Sequence, residues 1–210
     1  MKKIILSVVA LVSISLLSEA QFKVGIKAGA SQDNQRVNVK EGSIFGSDNY
    51  KGYHAGFVGD LAIGGNFYLQ PQLLFSRKGA THLSSTGAPD IKVQMSYVEL
   101  PVNVLYKFDL PFGKVFGGAG AAFSYAVGGR EQQGDVTRKI YGRAVKDWKR
   151  EDVGLTFTAG LEFNNGFFAS VNSQKGLMNI HQADGVSVKN KSVSVSVGYL
   201  LDWKKFKRKA

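Results

Sequence analysis

Residues 192–203, SVSVSVGYLLDW, decide the fold, because apolar and small polar residues alternate over most of this stretch. Side chains of an extended chain point to alternate faces, so the valines fall on one face and the serines on the other. The stretch therefore predicts a β-strand with one apolar and one polar face. The same two-residue period recurs elsewhere in the chain, whereas helical periodicity is nowhere sustained.

The alternating stretches predict eight strands, at about 22–30, 52–61, 66–78, 98–107, 114–128, 153–163, 167–174 and 192–203. Short connections (62–65, 109–113, 164–166) alternate with long polar ones (31–51, 79–92, 129–152, 178–191). An even number of strands with short turns at one end and long loops at the other is typical of outer-membrane barrels.

Two local irregularities interrupt the predicted strands. Pro71 lacks a backbone donor in the middle of the third strand, which predicts a local bulge or a carbonyl turned to the lumen. Met95 and Tyr97 are out of phase with Val98, which predicts a bulge or a change of role near the rim of the barrel.

The apolar faces could be turned outward to lipid or inward, as in a soluble lipocalin-like barrel. The polar faces are rich in Gly, Ser, Thr, Asn and Gln rather than in the Lys and Glu of a water-exposed surface. Aromatic residues gather near both strand ends, including Phe67 and Tyr106 at the short-turn end and Tyr97 and Tyr125 at the long-loop end, as membrane interfaces favour. We therefore predict an all-β fold: an eight-stranded antiparallel transmembrane up-and-down β-barrel whose lumen is filled by side chains.

Residues 1–20 have the features of a cleaved signal peptide: positive charge at Lys2 and Lys3, an apolar stretch at 4–17 and small residues before position 21. The predicted organisation is a signal peptide over 1–20, the barrel over 21–203 and a basic tail over 204–210. We expect the outer membrane of a Gram-negative cell envelope, with the N- and C-termini in the periplasm. The chain has no cysteine, which excludes disulfides and thiolate metal sites.

The net charge of +11 does not predict nucleic-acid binding, because much of it lies in the tail and no nucleic-acid-binding motif occurs. The histidines, His54, His82 and His181, lack the spacing of metal ligands. Neither Gly-x-Ser-x-Gly nor His-Glu-x-x-His occurs. We therefore predict no catalytic residue, no cofactor site and no metal site, and a protein that is not an enzyme.

Charged residues of both signs fall on the inward faces of the predicted strands. They are Lys23, Lys27, Asp60, Lys78, Glu99, Lys107, Glu162 and Asp202. Pairing opposite charges lowers the cost of keeping them in a narrow, partly dry lumen. These residues predict a structural plug, and the alternative is a narrow or gated ion path along the same side chains.

The third long loop is the most charged segment of the barrel. Its candidate binding residues are Arg138, Lys139, Arg143, Lys146, Trp148, Lys149 and Arg150. A basic loop at the cell surface could bind lipopolysaccharide phosphates or an acidic partner. The alternative is a solvated hairpin that extends the fifth and sixth predicted strands.

Several stretches resemble the PorT-like outer-membrane β-barrel family, whose members are often called porin-family proteins. The most specific are LQPQLLFSRKG at 69–79 and YVELP at 97–101. Further matches are GIKAG at 25–29, GYHAGF at 52–57, GLMNI at 176–180 and VGY at 197–199. The resemblance implies a single-chain barrel in the outer membrane, makes Pro71 a family trait and implies no particular activity. The residues after Trp203 depart from it, since such chains usually end on the last barrel aromatic.

The function we predict is that of a monomeric structural or surface-interaction protein acting through its long loops. The alternatives are a narrow porin-like channel, a rim-located outer-membrane lipid enzyme and a soluble lipocalin-like binder. The expected partners are outer-membrane lipid and lipopolysaccharide, the barrel-assembly machinery and an extracellular or envelope protein.

Overall fold

The computed structural model describes residues 22–39, 47–82, 89–141, 148–182 and 185–202. The strands are β1 Phe22–Val39, β2 Ser47–Gly64, β3 Phe67–His82, β4 Ile91–Leu110, β5 Gly113–Gln133, β6 Val136–Lys139, β7 Glu151–Phe163, β8 Phe167–Gly176 and β9 Val186–Asp202. No helix in these ranges is long and apolar enough to cross a membrane. The prediction of an all-β protein is confirmed.

The strands form a closed antiparallel ring. Hydrogen-bonded neighbours follow the order β4-β3-β2-β1-β9-β8-β7-β5, and β5 pairs back with β4 to complete it. β6 pairs with the far end of β5, beyond the segment that pairs with β7, so it stands outside the ring. The predicted eight-stranded up-and-down barrel is confirmed. Within the third long loop β6 forms a hairpin with the end of β5.

The strands are longer at the long-loop end than the sequence predicts. β1 continues to Val39 and pairs with β9 as far as Val186, although residues 31–51 and 178–191 were predicted as loops. β3 continues to His82, and β4 begins at Ile91 opposite it. These loop boundaries are wrong because the outward residues of the extensions are polar, as expected where a strand has left the lipid, while backbone pairing continues. Without an apolar outward face the extensions lack the pattern from which the other strands were predicted.

The outward face of the ring is apolar and the inward face is polar. Ile26, Phe57 and Val197 point outward and are 61%, 66% and 66% exposed. Their sequence neighbours Lys27 and Ser196 are buried in the lumen. The faces are therefore arranged as a membrane barrel requires, and the inverted, lipocalin-like arrangement is wrong.

Aromatic side chains mark the short-turn end of the ring. Phe67 packs against Tyr106 with ring centroids 5.2 Å apart, and Phe167 packs against Tyr199 at 4.9 Å. At the long-loop end Tyr125 is exposed as predicted, but Tyr97 is only 2% exposed and points into the lumen. The prediction for Tyr97 is wrong because it shares the inward phase of Glu99 rather than the outward phase of Val98.

Of the two bulges predicted from the sequence, the one at Pro71 is absent and the one near Tyr97 is present. The register of β3 against β4 is the same on both sides of Pro71, so the bulge predicted there is wrong. Gly59 of β2 lies beside the proline ring, since a Cβ on Gly59 would come 3.3 Å from the Pro71 Cγ. The bulge predicted near Tyr97 is confirmed, and the extra residue is Val127 on the partner strand β5.

Glycines allow close approach between strands inside the ring. A Cβ at Gly120 of β5 would collide with the backbone oxygen of Val102 on β4 and lie 2.7 Å from the Asn103 Cα. On the lipid face of the same strand, a Cβ at Gly117 would meet only the Thr158 oxygen at 3.9 Å. Inward glycines thus permit a curvature that a methyl group would oppose.

We predict that Gly120→Ala lowers the free energy of unfolding by roughly 1–3 kcal/mol, because the new methyl group overpacks backbone atoms. Gly117→Ala is the matched control, and its unfolding free energy should change by less than about 0.5 kcal/mol. Urea titration of the folded protein in detergent, followed by the gel mobility of unboiled samples, measures both. Equal effects at the two positions would contradict this role for the inward glycine.

Candidate functional site: barrel lumen and long-loop mouth

A four-residue ionic cluster crosses the lumen near the short-turn end. The Lys107 Nζ lies 2.7 Å from the Asp60 Oδ2 and 2.6 Å from the Glu162 Oε2. The other Glu162 oxygen accepts a hydrogen bond from the Lys23 Nζ at 2.5 Å. Lys107, Asp60 and Glu162 are almost completely buried. This cluster ties β1, β2, β4 and β7 together across the barrel.

Buried apolar side chains also lie at this end of the lumen, and none of them was predicted as a lumen residue. Tyr68, Leu105 and Phe116 form one buried group, and the Lys107 Nζ lies 4.4 Å from the Tyr68 ring centroid. A second buried group consists of Val58, Phe168 and Leu200. The two-residue period of the strands places all six side chains inward. They could have been recognised in the sequence as large apolar residues on strand faces whose other residues are small or polar.

A second ionic group lies towards the long-loop end. The Lys78 Nζ donates hydrogen bonds to the Glu99 Oε1 at 2.7 Å and to the Gln174 Oε1 at 2.8 Å. Glu99 also accepts hydrogen bonds from Ser76 at 2.5 Å and from Ser124 at 2.8 Å. A carboxylate with an ammonium group and two hydroxyls around it is well compensated for its burial.

Two predicted lumen residues lie outside these ionic groups. The Lys27 Nζ contacts neutral oxygens, the Gln72 Oε1 and the Asn172 Oδ1, each at 3.2 Å. Asp202 is half-buried at the end of β9, opposite Lys23 in the strand register. The other six predicted residues are those of the two groups above.

Two buried carboxylates were not among the predicted lumen residues. Asp33 accepts hydrogen bonds from Ser31 at 2.9 Å and from Ser192 at 2.6 Å. Asp152 accepts one from Asn190 at 2.8 Å. Both fell in segments predicted as loops; continuing the two-residue period past position 30 would have placed Asp33 on the inward face.

An apolar cap closes the lumen at the long-loop end. It consists of Val37, Val93, Met95, Tyr97, Ala126, Ile140, Trp148, Ile180 and Val188. The loop segment at Lys149 is tied to the last loop, since the Lys149 N–H donates to the Ile180 backbone oxygen at 2.8 Å. The cap is therefore held by backbone pairing as well as by apolar burial.

The predicted binding residues of the third long loop have different environments. Arg138, Lys139 and Lys149 are exposed. Trp148 is 8% exposed and packs edge-on against the His181 ring at 5.0 Å, so its predicted role as a surface-binding residue is wrong. Trp148 is buried because its indole packs among the apolar side chains of the cap. Arg143 and Lys146 lie outside the described residues.

Arg150 connects the third long loop to the end of β5. Its Nη1 donates to the Ala126 oxygen at 2.9 Å, and its guanidinium lies 4.3 Å from the Tyr141 ring centroid. The Tyr141 hydroxyl donates to the Lys149 oxygen at 3.1 Å. Burial raises the pKa of Tyr141 to about 12, so its ring stays neutral beneath the guanidinium at physiological pH.

The three histidines occupy separate positions. The His54 Nε2 is 2.9 Å from the Ser196 Oγ inside the lumen, and the His82 Nε2 is 3.1 Å from the Gln35 Oε1. In the described ranges, no three His, Asp or Glu side chains are grouped to hold a metal ion.

The family model described as the outer membrane protein beta-barrel domain matches residues 16–182. The chain belongs to this family. It is an outer-membrane protein, as predicted, whereas the narrower PorT-like resemblance stays a prediction. A search of curated proteins finds no match.

Solved structures of outer-membrane barrels match the chain at low identity. Ail, the attachment invasion locus protein of Yersinia pestis, is 15% identical, with 86% of this chain and 99% of that chain covered and a TM-score of 0.45. Neisserial surface protein A is 14% identical, with 87% and 99% covered and a TM-score of 0.44. OprG from Pseudomonas aeruginosa is 10% identical, with 85% and 95% covered and a TM-score of 0.49.

We predict that Lys107→Met destabilises this outer-membrane barrel by about 3–5 kcal/mol, because Asp60 and Glu162 lose the buried ammonium group between them. Lys114→Met is the matched control, since Lys114 pairs at 2.8 Å with the exposed Asp109. An exposed pair of this kind contributes only about 0–1 kcal/mol. Urea unfolding in detergent measures both, and similar losses would show that the buried cluster is no stronger than a surface pair.

Proposed function

We propose that the protein is a plugged barrel of the outer membrane that acts as a surface-interaction protein through its long-loop end. The single observation that carries this proposal is the double closure of the lumen, by the ionic groups and by the apolar cap. With the interior closed, the surface that remains for recognition is the outer side of the long-loop end. We place the chain termini in the periplasm, because Phe22 and Asp202 both lie at the short-turn end of the ring.

The burial of the inward side chains along β4 supports the plugged lumen. Its inward side chains run from Lys107 through Asn103 and Glu99 to Tyr97 and Met95, and each of these is at most 3% exposed. A water-filled ion path would expose such side chains along the lumen. This favours the structural plug over the narrow porin-like channel.

The same closure argues against a lipid enzyme. His54 and Ser196 are within hydrogen-bond distance, but they are 8% and 4% exposed inside the lumen. The Ser196 hydroxyl also accepts a hydrogen bond from the Asn172 Nδ2 at 3.1 Å. A lipid ester would have to pass the cap to reach this pair.

Exposed basic residues surround the long-loop end and form what we call the basic rim. They are Arg36, Lys51, Lys92, Arg130, Arg138, Lys139, Lys149, Lys175 and Lys191. Lipopolysaccharide phosphates are a suitable anionic partner for such a rim, which lies just beyond the apolar band. Within the rim we propose the third long loop as the specific binding site. The contacts of Arg150 and Tyr141 hold the part of this loop next to the barrel in place.

We predict that the triple variant Arg138→Gln, Lys139→Gln, Lys149→Gln weakens lipopolysaccharide binding about tenfold, because three exposed charge contacts together contribute on the order of 1–2 kcal/mol. Lys92→Gln, Lys175→Gln, Lys191→Gln removes equal charge from other strands and should weaken binding no more than about threefold. Fluorescence anisotropy of labelled lipopolysaccharide, with the protein in phosphatidylcholine nanodiscs, gives both affinities.

Equal weakening by the two triple variants would contradict a specific loop site and leave only general attraction by the rim. No measurable lipopolysaccharide binding would contradict this partner and would point to an acidic protein instead.

A further inference from the structure

Lys27 differs from the other lysines of the lumen. Lys23, Lys78 and Lys107 each contact a carboxylate at 2.7 Å or less. Lys27 is 6% exposed, and among the residues that the structure describes no carboxylate oxygen lies within 4.0 Å of its Nζ. Its ammonium group therefore carries a buried charge whose direct contacts are neutral.

The contacts of Lys27 leave one donor unused. Its Nζ reaches the amide oxygens of Gln72 and Asn172, each at 3.2 Å. An ammonium group has three protons to donate, and these two long contacts use two of them. A buried cation held only by neutral dipoles is costly, and a nearby anion would offset much of that cost.

Two other buried carboxylates of the lumen are held by other groups. Glu99 accepts hydrogen bonds from Lys78, Ser76 and Ser124. Asp33 accepts hydrogen bonds from Ser31 and from Ser192. Neither contacts Lys27 directly, so the protein's own carboxylates leave the third ammonium proton available.

Lys27 lines a small cavity in the middle of the barrel. The cavity has a volume of about 50 Å³, and its walls include the paired Lys78 and Glu99 together with Asn172 and Ser194. The Ser194 Oγ accepts a long contact from the Asn172 Nδ2 at 3.5 Å, which leaves its own proton free to donate. This space suits a small monovalent ion together with a water molecule or two, and it is too confined for a sugar acid or a lipid phosphate.

We propose that this cavity is a binding site for a small monovalent anion of the halide or nitrate class, held by the Lys27 ammonium group and by a hydroxyl such as that of Ser194. The anion completes the charge pairing of the lumen, so that each of its four lysines has a negative partner. Because it is bound only in the folded barrel, it stabilises the folded state by mass action.

The test compares sodium bromide with sodium gluconate at equal ionic strength, using protein folded in detergent. The unfolding temperature, read from the gel shift of samples heated without denaturant, should rise by at least about 3 °C in bromide for the wild type. Lys27→Met should abolish this rise, whereas Lys114→Met, the same substitution at the short-turn rim and away from this cavity, should retain it. A bromide effect that survives in Lys27→Met, or no effect in the wild type, would overturn the proposal.

Crystals of the wild type soaked in bromide give a readout that does not depend on a variant folding. The proposal expects an anomalous peak within hydrogen-bond distance of the Lys27 Nζ. Density without a peak there would contradict the proposal.

Discussion

Closure of the backbone ring in lipid is the constraint on which the rest of the structure depends. Within hydrocarbon no water can bind a free N–H or C=O, so an open sheet edge is too costly. Eight strands satisfy the requirement when β5 pairs back with β4. A ring of that size leaves a lumen only as wide as its own side chains, and this narrowness determines what the inward residues can be.

Three kinds of inward residue allow the narrow lumen to be packed. Glycines such as Gly120 let neighbouring strands approach, where a Cβ would collide with backbone atoms. Charged residues are held in compensated groups, with Lys107 between Asp60 and Glu162. Apolar side chains such as Tyr97 close the long-loop end. The lumen is therefore a packed interior in which compensated charges and buried apolar groups lie side by side, with the apolar cap at the long-loop end.

The sequence predicted the ring because lipid on one side and a packed lumen on the other impose the same two-residue period on each strand. The period is clear at 192–203, where both environments act on the strand. It fades at 31–36, where both faces are polar, and there the predicted strand ends too early although pairing with β9 continues.

The candidate site was less predictable because its contacts join distant parts of the chain. The inward positions of Lys27 and Lys107 follow from the two-residue period. Which carboxylate each lysine meets depends on how the strands are staggered around the ring, and that cannot be counted along one strand. Trp148 was assigned to the surface because its burial depends on contact with Ile180 and His181 from another loop.

The closed lumen is tested most directly by the reactivity of single cysteines, since the chain has no cysteine of its own. We expect Lys149→Cys to react within minutes with a membrane-impermeant thiol reagent added to the folded protein. Ser124→Cys and Thr158→Cys, whose side chains lie in the lumen beneath the cap, should react only after unfolding. Labelling of the two lumen positions at rates comparable to that of Lys149→Cys would contradict the closed lumen and would make a water-filled path through the barrel the better account.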